Sequence, residues 1–311
     1  MGEIISKITP VFILIFLGFI FKKKGLIKQE TMDEMKKLVL DIALPALLFI
    51  IFIHMEIKIE VLGLTAVNIL FFCLLLVFTY LIKDLKGISS PTLPFLTPGL
   101  SFGTMGIPLF IAVFGMEALP TFSVLNIGNE LFIWFVLVIL LKYHFSGERF
   151  STSVFKDFIR SPFIIAVLSG LILNISGLRD IISQNILYNG LVSTLDLLGT
   201  IVSPLILIIL GYDLQLNRTY IRESVKILVI RYAAMLLLGG LVKYLILDRF
   251  IHSDPLFDYA WFTYLILPPS NSVPLLFSNY STEENASIAT NVVVLSSILC
   301  ILIYTGFVLI I

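Results

Sequence analysis

Long apolar stretches alternate with short charged or turn-rich breaks along the whole of this chain. Because about 20 apolar residues in a helix cross a bilayer, each stretch predicts a membrane-spanning helix. Ten spans follow, numbered in chain order, at residues 4–21, 33–53, 60–82, 92–114, 119–141, 161–178, 189–211, 224–246, 257–279 and 286–310. The pattern therefore predicts an all-α polytopic membrane protein with ten transmembrane helices.

The composition of the chain excludes several classes of protein. Of 311 residues, 58% are hydrophobic and 14% are charged, whereas soluble domains carry about 25% charged residues. The polar residues are too few to cover a soluble globule, which excludes soluble enzymes, nucleic-acid binders and secreted disulfide scaffolds. No HExxH or GxSxG pattern is present, so we expect no enzymatic activity. The three histidines lack metal-ligand spacing, and we expect neither a metal nor a cofactor.

The placement of lysine and arginine predicts the orientation of the chain in the membrane. With the N-terminus outside the cytoplasm, 16 of the 21 basic residues fall on the inner side and 5 on the outer side. Such an excess is typical of cytoplasmic loops. We expect a multi-pass protein of the cell membrane with both termini on the non-cytoplasmic side.

The two halves of the chain share proline and glycine positions. The related pairs are Pro10 and Pro162, Gly18 and Gly170, Pro45 and Pro204, and Pro108 and Pro274. Because each half holds five spans, an odd number, the second half must be inverted relative to the first, as in many secondary transporters. The predicted domains are a first inverted repeat at 1–141, a cytoplasmic amphipathic linker at 142–160 and a second inverted repeat at 161–311.

Spans 4 and 9 carry the densest proline and glycine clusters, at corresponding positions of the two repeats. Proline removes a helical hydrogen bond and glycine adds backbone freedom, so both helices should unwind inside the membrane. If the broken helices cross, their N-terminal ends converge and favour an anion; the alternative is a pair of kinked packing helices. The expected substrate-binding residues are Ser101, Gly103, Thr104, Gly106, Ile107, Pro108, Ser270, Asn271, Ser272 and Pro274, completed by Asn126 and Asn129 of span 5.

Span 5 also places Glu130 halfway across the membrane. A carboxylate at that depth should face the protein interior, so we interpret Glu130 as the carrier of a coupling proton or as a ligand of a coupling cation. The alternative is a structural partner for backbone groups of span 4. Asn68 and Asn291 are further candidates for the coupling-ion site, although interhelical hydrogen bonding explains each equally well. Arg231, in span 8, is interpreted as a side chain that snorkels to the inner interface.

Several short motifs occur in order along nearly the whole chain. They are Pro10 to Gly18, Leu44-Pro45, Gly106-Ile107-Pro108, Phe114-Gly115, Gly128-Asn129, Pro204, Leu210 to Leu214, and Pro274. This ordered set resembles the auxin efflux carrier family. Ser101 stands where plant carriers have asparagine, which argues against auxin itself as the substrate. The short segment 142–160 is similar to that of prokaryotic members.

The resemblance implies a fold of the sodium/proton-antiporter and bile-acid-symporter type, with broken crossing helices 4 and 9. It implies that the helices of spans 1, 2, 6 and 7 form a scaffold and that the other helices form a mobile transport domain. It also implies a homodimer, which we expect to form through the helices of spans 2 and 7.

Together these observations predict a secondary transporter that moves a small organic anion, such as a mono- or dicarboxylate, by alternating access. Protons or sodium are candidate coupling ions, and the lipid bilayer is the other expected partner. Two alternatives stay open. One is a cation/proton antiporter on the same fold, and the other is a membrane sensor that binds organic acids without moving them.

Overall fold

A computed structural model describes residues 2–54, 59–88, 90–146, 160–178, 183–213, 217–250 and 254–311. In these residues the chain is helical, and the only extended pairing is one isolated antiparallel bridge between Leu100 and Pro269. Most of the predicted linker at 142–160 lies outside the described residues.

Twelve helices are labelled here in chain order. They are α1 (Gly2–Lys23), α2 (Gln29–His54), α3 (Ile59–Ile82), α4 (Leu93–Leu96), α5 (Phe102–Phe114), α6 (Met116–Phe145), α7 (Pro162–Ile175), α8 (Ile186–Asp213), α9 (Arg218–Leu247, continued by Asp248–Phe250), α10 (Pro255–Ile266), α11 (Ser272–Tyr280) and α12 (Glu283–Val308). Predicted span 4 therefore corresponds to α4 and α5, and predicted span 9 to α10 and α11.

The length and apolar composition of the helices agree with a polytopic membrane protein. Within the described residues, six helices are long and apolar enough to cross a bilayer, namely α2, the Val61–Ile82 part of α3, α6, α8, α9 and α12. Two shorter apolar helices lie at Phe102–Phe114 and Ile164–Ile175. The all-helical class is thus confirmed, while the count of ten spans and the inverted repeat stay predictions.

The chain forms two compact units. The first contains 1–58, Ile107–Pro120 and 155–214, and the second contains Ile59–Gly106, 121–154 and 215–311. Each unit combines segments from both halves of the chain, so the predicted boundary between repeats is not a boundary between units. The first unit holds α1, α2, α7 and α8, the helices that the family resemblance assigns to the scaffold, together with Ile107–Pro120.

In the first unit, α1 packs against α8 at a distance that only glycine allows. A Cβ atom on Gly18 would lie 1.9 Å from the carbonyl oxygen of Ile208, and one on Gly211 would lie 1.8 Å from that of Ile15. Gly170 of α7 likewise approaches the Phe49 carbonyl of α2, where a Cβ would lie at 3.0 Å. Small residues let membrane helices approach closely and gain van der Waals contact.

The motif at the end of α8 anchors the connection between α1 and α2. The Asp213 carboxylate forms an ion pair with Lys36 of α2 at 2.7 Å. The Tyr212 hydroxyl donates to the Ile27 carbonyl at 3.0 Å, and the Lys22 ammonium lies 4.5 Å from the centre of the Tyr212 ring. These motif residues therefore hold α1, α2 and α8 together at one end.

The second unit has an aromatic core. Phe72 contacts Phe71, Phe132 and Tyr264 at ring-centroid distances of 5.2 to 6.0 Å, and Trp261 stacks on Tyr264 at 5.9 Å. These rings come from α3, α6 and α10. The core thus packs α10 and α6, the helix that carries Glu130, against α3.

We predict that Gly211→Ala disrupts the packing of α1 on α8. Because the new methyl group would overlap a backbone carbonyl, the helices must separate, which costs about 1–3 kcal/mol. The expected result is an apparent melting temperature in detergent that is lower by about 5 °C.

The matched control is Gly240→Ala in α9, where a Cβ would meet no atom within 4 Å. This control should melt at or slightly above the wild-type temperature, because alanine is the better helix former. Equal melting of the two variants would contradict the close approach of α1 and α8.

Candidate functional site

The first helix interruption lies between α4 and α5. The helix α4 ends at Leu96 and Thr97 keeps helical backbone angles, whereas residues 98–101 are not helical. A five-residue π-helical turn follows at Phe102–Gly106. Pro98 has no N–H to donate, and Gly99 adopts a φ of +80°, in the left-handed region that favours glycine. The local sequence thus breaks the helix at the residues that the proline and glycine pattern singles out.

The second interruption lies between α10 and α11. The last helical residue of α10 is Ile266, and Leu267 is extended, with φ −61° and ψ 146°. This conformation is the one expected before a proline, because the ring of Pro268 disfavours a helical residue in front of it. A second proline, Pro269, follows, and the helix resumes only at Ser272.

The two interrupted segments pair with each other. Ser101 N–H donates to the Pro268 carbonyl at 2.9 Å, and Leu100 faces Pro269 in the antiparallel bridge. Next to this pairing, the Asn271 amide donates to the Thr104 hydroxyl at 2.8 Å. Both interruptions therefore lie side by side within the second unit, and the helices α5 and α11 begin next to the bridge.

Asn129 of α6 satisfies the backbone at the first interruption. Its Oδ1 accepts from Leu100 N–H at 2.8 Å, and its Nδ2 donates to the Leu100 carbonyl at 3.2 Å. Nδ2 also donates to Asn126 Oδ1 at 2.9 Å. The Asn129 carboxamide thus makes the two hydrogen bonds that a neighbouring β-strand would make with Leu100. Asn129 and Asn126 are buried, at 0% and 2% exposure.

The predicted substrate-binding residues divide into an accessible and a buried set. We call the accessible set the polar patch. Its side chains are joined by the Thr104–Asn271 bond and by a 2.8 Å bond between the Ser270 and Ser272 hydroxyls. The polar patch consists of Gly103, Thr104, Ser270, Asn271 and Ser272, of which Asn271 is exposed and the others are half-buried.

The other predicted substrate-binding residues lie outside the polar patch. Ser101 is buried, and its hydroxyl bonds to that of Thr104. Gly106 is buried, with Leu267 and Phe122 each 3.0 Å from where a Cβ would stand. Pro274 lies half-buried in the first turn of α11. Ile107 and Pro108 are buried in α5 and belong to the first unit.

The predicted coupling residue Glu130 lies beside the predicted substrate-binding residue Asn126. Its carboxyl group lies next to the side chains of Asn126 and Trp134, one helical turn away on either side. Asn68 donates to the Leu125 carbonyl and, at 2.9 Å, to the Tyr264 hydroxyl. Asn68 thus joins α3, α6 and α10.

Asn291 of α12 has a different position. Its carboxamide bonds to the backbone N–H and carbonyl of Asn217, each at 2.8 Å. It therefore fixes the residue that precedes α9, and both of its hydrogen-bonding groups are used there.

The interpretation of Arg231 as a snorkelling side chain is wrong. Arg231 is 0% exposed in the middle of α9, and its Nε donates to the Leu96 carbonyl at 3.1 Å. The next residue, Tyr232, bonds through its hydroxyl to the Ile266 carbonyl at 2.9 Å. The position of Arg231 near the centre of the long helix α9 is the sequence signal that could have predicted a buried side chain.

These features define a class of protein. Helices of membrane-spanning length and two paired interruptions with a polar patch are typical of membrane transporters, which bind substrate where helices are discontinuous. The sequence profile described as membrane transport protein matches residues 3–308. The chain belongs to this family, which is the auxin efflux carrier family that the motifs resemble. It is a multi-pass membrane protein.

One relative is similar over most of its length. A protein of Methanothermobacter thermautotrophicus, described as an uncharacterized transporter, is 28% identical over 228 residues. The match covers 71% of this chain and 70% of that protein.

We predict that Asn129→Ala destabilises the first interruption. The change leaves the buried N–H and carbonyl of Leu100 without their partner, which costs about 1–3 kcal/mol for each group. A fall in the apparent melting temperature of the purified protein measures this loss.

Asn279→Ala is the matched control, because Asn279 is exposed in α11. Its melting temperature should stay at the wild-type value. If Asn129→Ala melted at the same temperature as Asn279→Ala, the two hydrogen bonds between Asn129 and Leu100 would make no contribution to stability.

Proposed function

We propose that this protein is a secondary carrier, and not an enzyme, that moves a small organic anion such as a mono- or dicarboxylate by alternating access. The observation that carries the proposal is the hydrogen bond between Thr104 and Asn271, which joins two helix interruptions that are paired by their backbones. Interrupted backbone inside a membrane is tolerated only where it is buried or lines a cavity. A substrate site is the function that best accounts for two such interruptions side by side.

The chemistry of the polar patch favours an anion. It offers hydroxyl groups from Thr104, Ser270 and Ser272 and the amide of Asn271, and it contains no acidic side chain. The helices α5 and α11 both begin beside the bridge, so the positive ends of two helix dipoles lie near the polar patch. Donors and dipoles of this kind suit a carboxylate.

The proposed fold supports alternating access. The Gly18 and Gly170 contacts place the repeat-related pairs α1 with α8 and α7 with α2 in the same unit, as inverted repeats would. We propose that the first unit is the scaffold and that the second unit carries the substrate. The exposed apolar residues of α8, such as Ile186, Leu187 and Leu197, are available for lipid or for the homodimer expected through spans 2 and 7.

Glu130 is proposed to carry the coupling proton or to help bind a coupling cation. It forms no ion pair with any residue that the structure describes. It lies one turn from Asn126, which bonds to Asn129, the residue whose carboxamide binds the Leu100 backbone. A change of the charge on Glu130 would therefore change the electrostatic potential next to the first interruption. A cation/proton antiporter would use the same residue, so flux measurements must separate the two functions.

The primary experiment reconstitutes the purified protein in liposomes. A thermal-shift panel of small carboxylates, with and without sodium and at two pH values, first finds ligands. Counterflow of a radiolabelled hit then measures transport. Carboxylate flux supports the proposal, whereas ligand binding without flux would indicate a sensor, and proton or sodium exchange without carboxylate flux would indicate an antiporter.

We predict that Thr104→Val and Asn271→Ala each raise the KM for the carboxylate by about tenfold, because each removes a hydrogen-bond group that the charged substrate uses. Ser278→Ala, an exposed serine of α11 outside the polar patch, is the control and should keep the wild-type KM. Wild-type KM values in both polar-patch variants would place the substrate elsewhere.

We predict that Glu130→Gln abolishes the dependence of uptake on a proton gradient and leaves counterflow largely intact, because glutamine cannot exchange a proton. Uptake at several imposed pH differences measures this. The exposed Glu117→Gln serves as the control. A Glu130→Gln carrier with full proton dependence would exclude the coupling role.

A further inference from the structure

Arg231 is a charged residue whose burial its protein contacts do not explain. It is fully buried in α9, and Nε alone has a protein acceptor, the Leu96 carbonyl. The guanidinium carbon also lies 5.7 Å from the centre of the Tyr232 ring, a cation–π contact that is worth about 2 kcal/mol when it is desolvated. Nη1 and Nη2 are buried and meet no acceptor among the described residues, and no described carboxylate forms an ion pair with the guanidinium. A charge inside a membrane protein is costly, and such residues mark functional sites more often than structural ones.

The place of Arg231 connects it to both helix interruptions. Leu96 is the last helical residue before the first one and Ile266 the last before the second. In a continuous helix the Leu96 carbonyl would accept from Leu100 N–H, but that N–H is bound to Asn129. Arg231 takes the carbonyl freed at the first interruption, and Tyr232 takes the one freed at the second.

A hydrogen bond to a carbonyl does not require a charge. Tyr232 binds the Ile266 carbonyl with a neutral hydroxyl at 2.9 Å, and the same type of residue would serve at Leu96. One bond to a neutral carbonyl and one ring contact do not compensate for the desolvation of a guanidinium, which has five N–H groups and loses several kcal/mol of hydration. The positive charge therefore has a use other than holding Leu96.

The charge lies close enough to the bridge to act on a bound anion. Leu96 precedes Leu100 by four residues, so the chain between them spans at most about 14 Å. The 3.1 Å bond from Nε to the Leu96 carbonyl adds to this span, so the charge lies within about 20 Å of Leu100. Inside a protein, where salt screens little, two unit charges about 10–20 Å apart interact by an amount that is worth about four- to fifteenfold in affinity. The guanidinium thus raises the electrostatic potential at the pairing of Leu100 with Pro269.

We infer that Arg231 determines specificity for anions: its charge makes the site between the two interruptions prefer a carboxylate over an uncharged analogue of the same shape. It acts through the electrostatic potential and through its hold on Leu96, and it does not touch the polar patch in this conformation. The inference rests on the proposed function and adds the residue that selects the substrate class.

The experiment compares a carboxylate with its uncharged primary amide in the wild type and in Arg231→Gln, Arg231→Met and Arg231→Lys. Binding affinity and counterflow KM are measured for both ligands. We expect the two neutral variants to lose about tenfold in affinity for the carboxylate and less than twofold for the amide. Arg231→Lys, which keeps the charge, should retain the carboxylate preference within about threefold.

Tyr232→Phe is the matched control. It removes the bond to the Ile266 carbonyl without a change of charge, so it should lower the melting temperature and affect both ligands equally. Arg231→Met is included because replacement of a buried charge by an apolar side chain often preserves or increases stability.

Three results would overturn the inference. Equal losses for carboxylate and amide in the neutral variants would show a structural role, and so would neutral variants that both fail to fold. Full carboxylate preference in the neutral variants would exclude any role of the charge. A wild-type protein that binds and moves no carboxylate would instead refute the proposed function, so the two failures are distinguishable.

Discussion

The structure of the second unit depends on hydrogen-bond partners for the backbone groups that are freed at its two helix interruptions. Each freed N–H or carbonyl inside a membrane protein needs a partner, since lipid provides none. Here the partners come from the opposite interruption, through Ser101 and Pro268, and from the side chains of Asn129, Arg231 and Tyr232. The interruptions therefore depend on side chains of α6 and α9 for these hydrogen bonds. The same bonds join α6 and α9 to the two interrupted segments.

The first unit is built on a different principle. Its helices gain stability through contact at glycines, where Gly18 and Gly211 bring α1 and α8 together backbone to backbone. The ion pair between Asp213 and Lys36 and the cation–π contact between Lys22 and Tyr212 lie together at one end of the unit. A unit held by close apolar packing suits a scaffold, whereas a unit with buried polar partners suits a substrate site, and this contrast follows from residue types alone.

The local part of this architecture could be predicted from the sequence, and the tertiary part could not. Pro98, Pro268 and Pro269 break helices by their own covalent structure, so the interruptions follow from the chain itself. The partner of each freed group depends on packing between distant segments: 29 residues separate Leu100 from Asn129, and 135 separate Leu96 from Arg231. An apolar span also does not reveal which way a polar side chain faces. The sequence therefore could not predict that Asn129, a predicted substrate-binding residue, bonds to the N–H and the carbonyl of Leu100.

Arg231 illustrates why charge needs separate treatment from hydrogen bonding. A sequence pattern that allows a long side chain to reach the interface also allows it to stay inside, and the choice depends on what the interior offers. The interior here offers one carbonyl and the ring of Tyr232, and it leaves two guanidinium nitrogens without a described acceptor. The neutral residues Asn129 and Tyr232 bind backbone groups of Leu100 and Ile266 at the same interruptions. The one charge among these partners is therefore best understood through the ligand that the protein is proposed to carry, because a bound anion would compensate the charge that the helices leave unpaired.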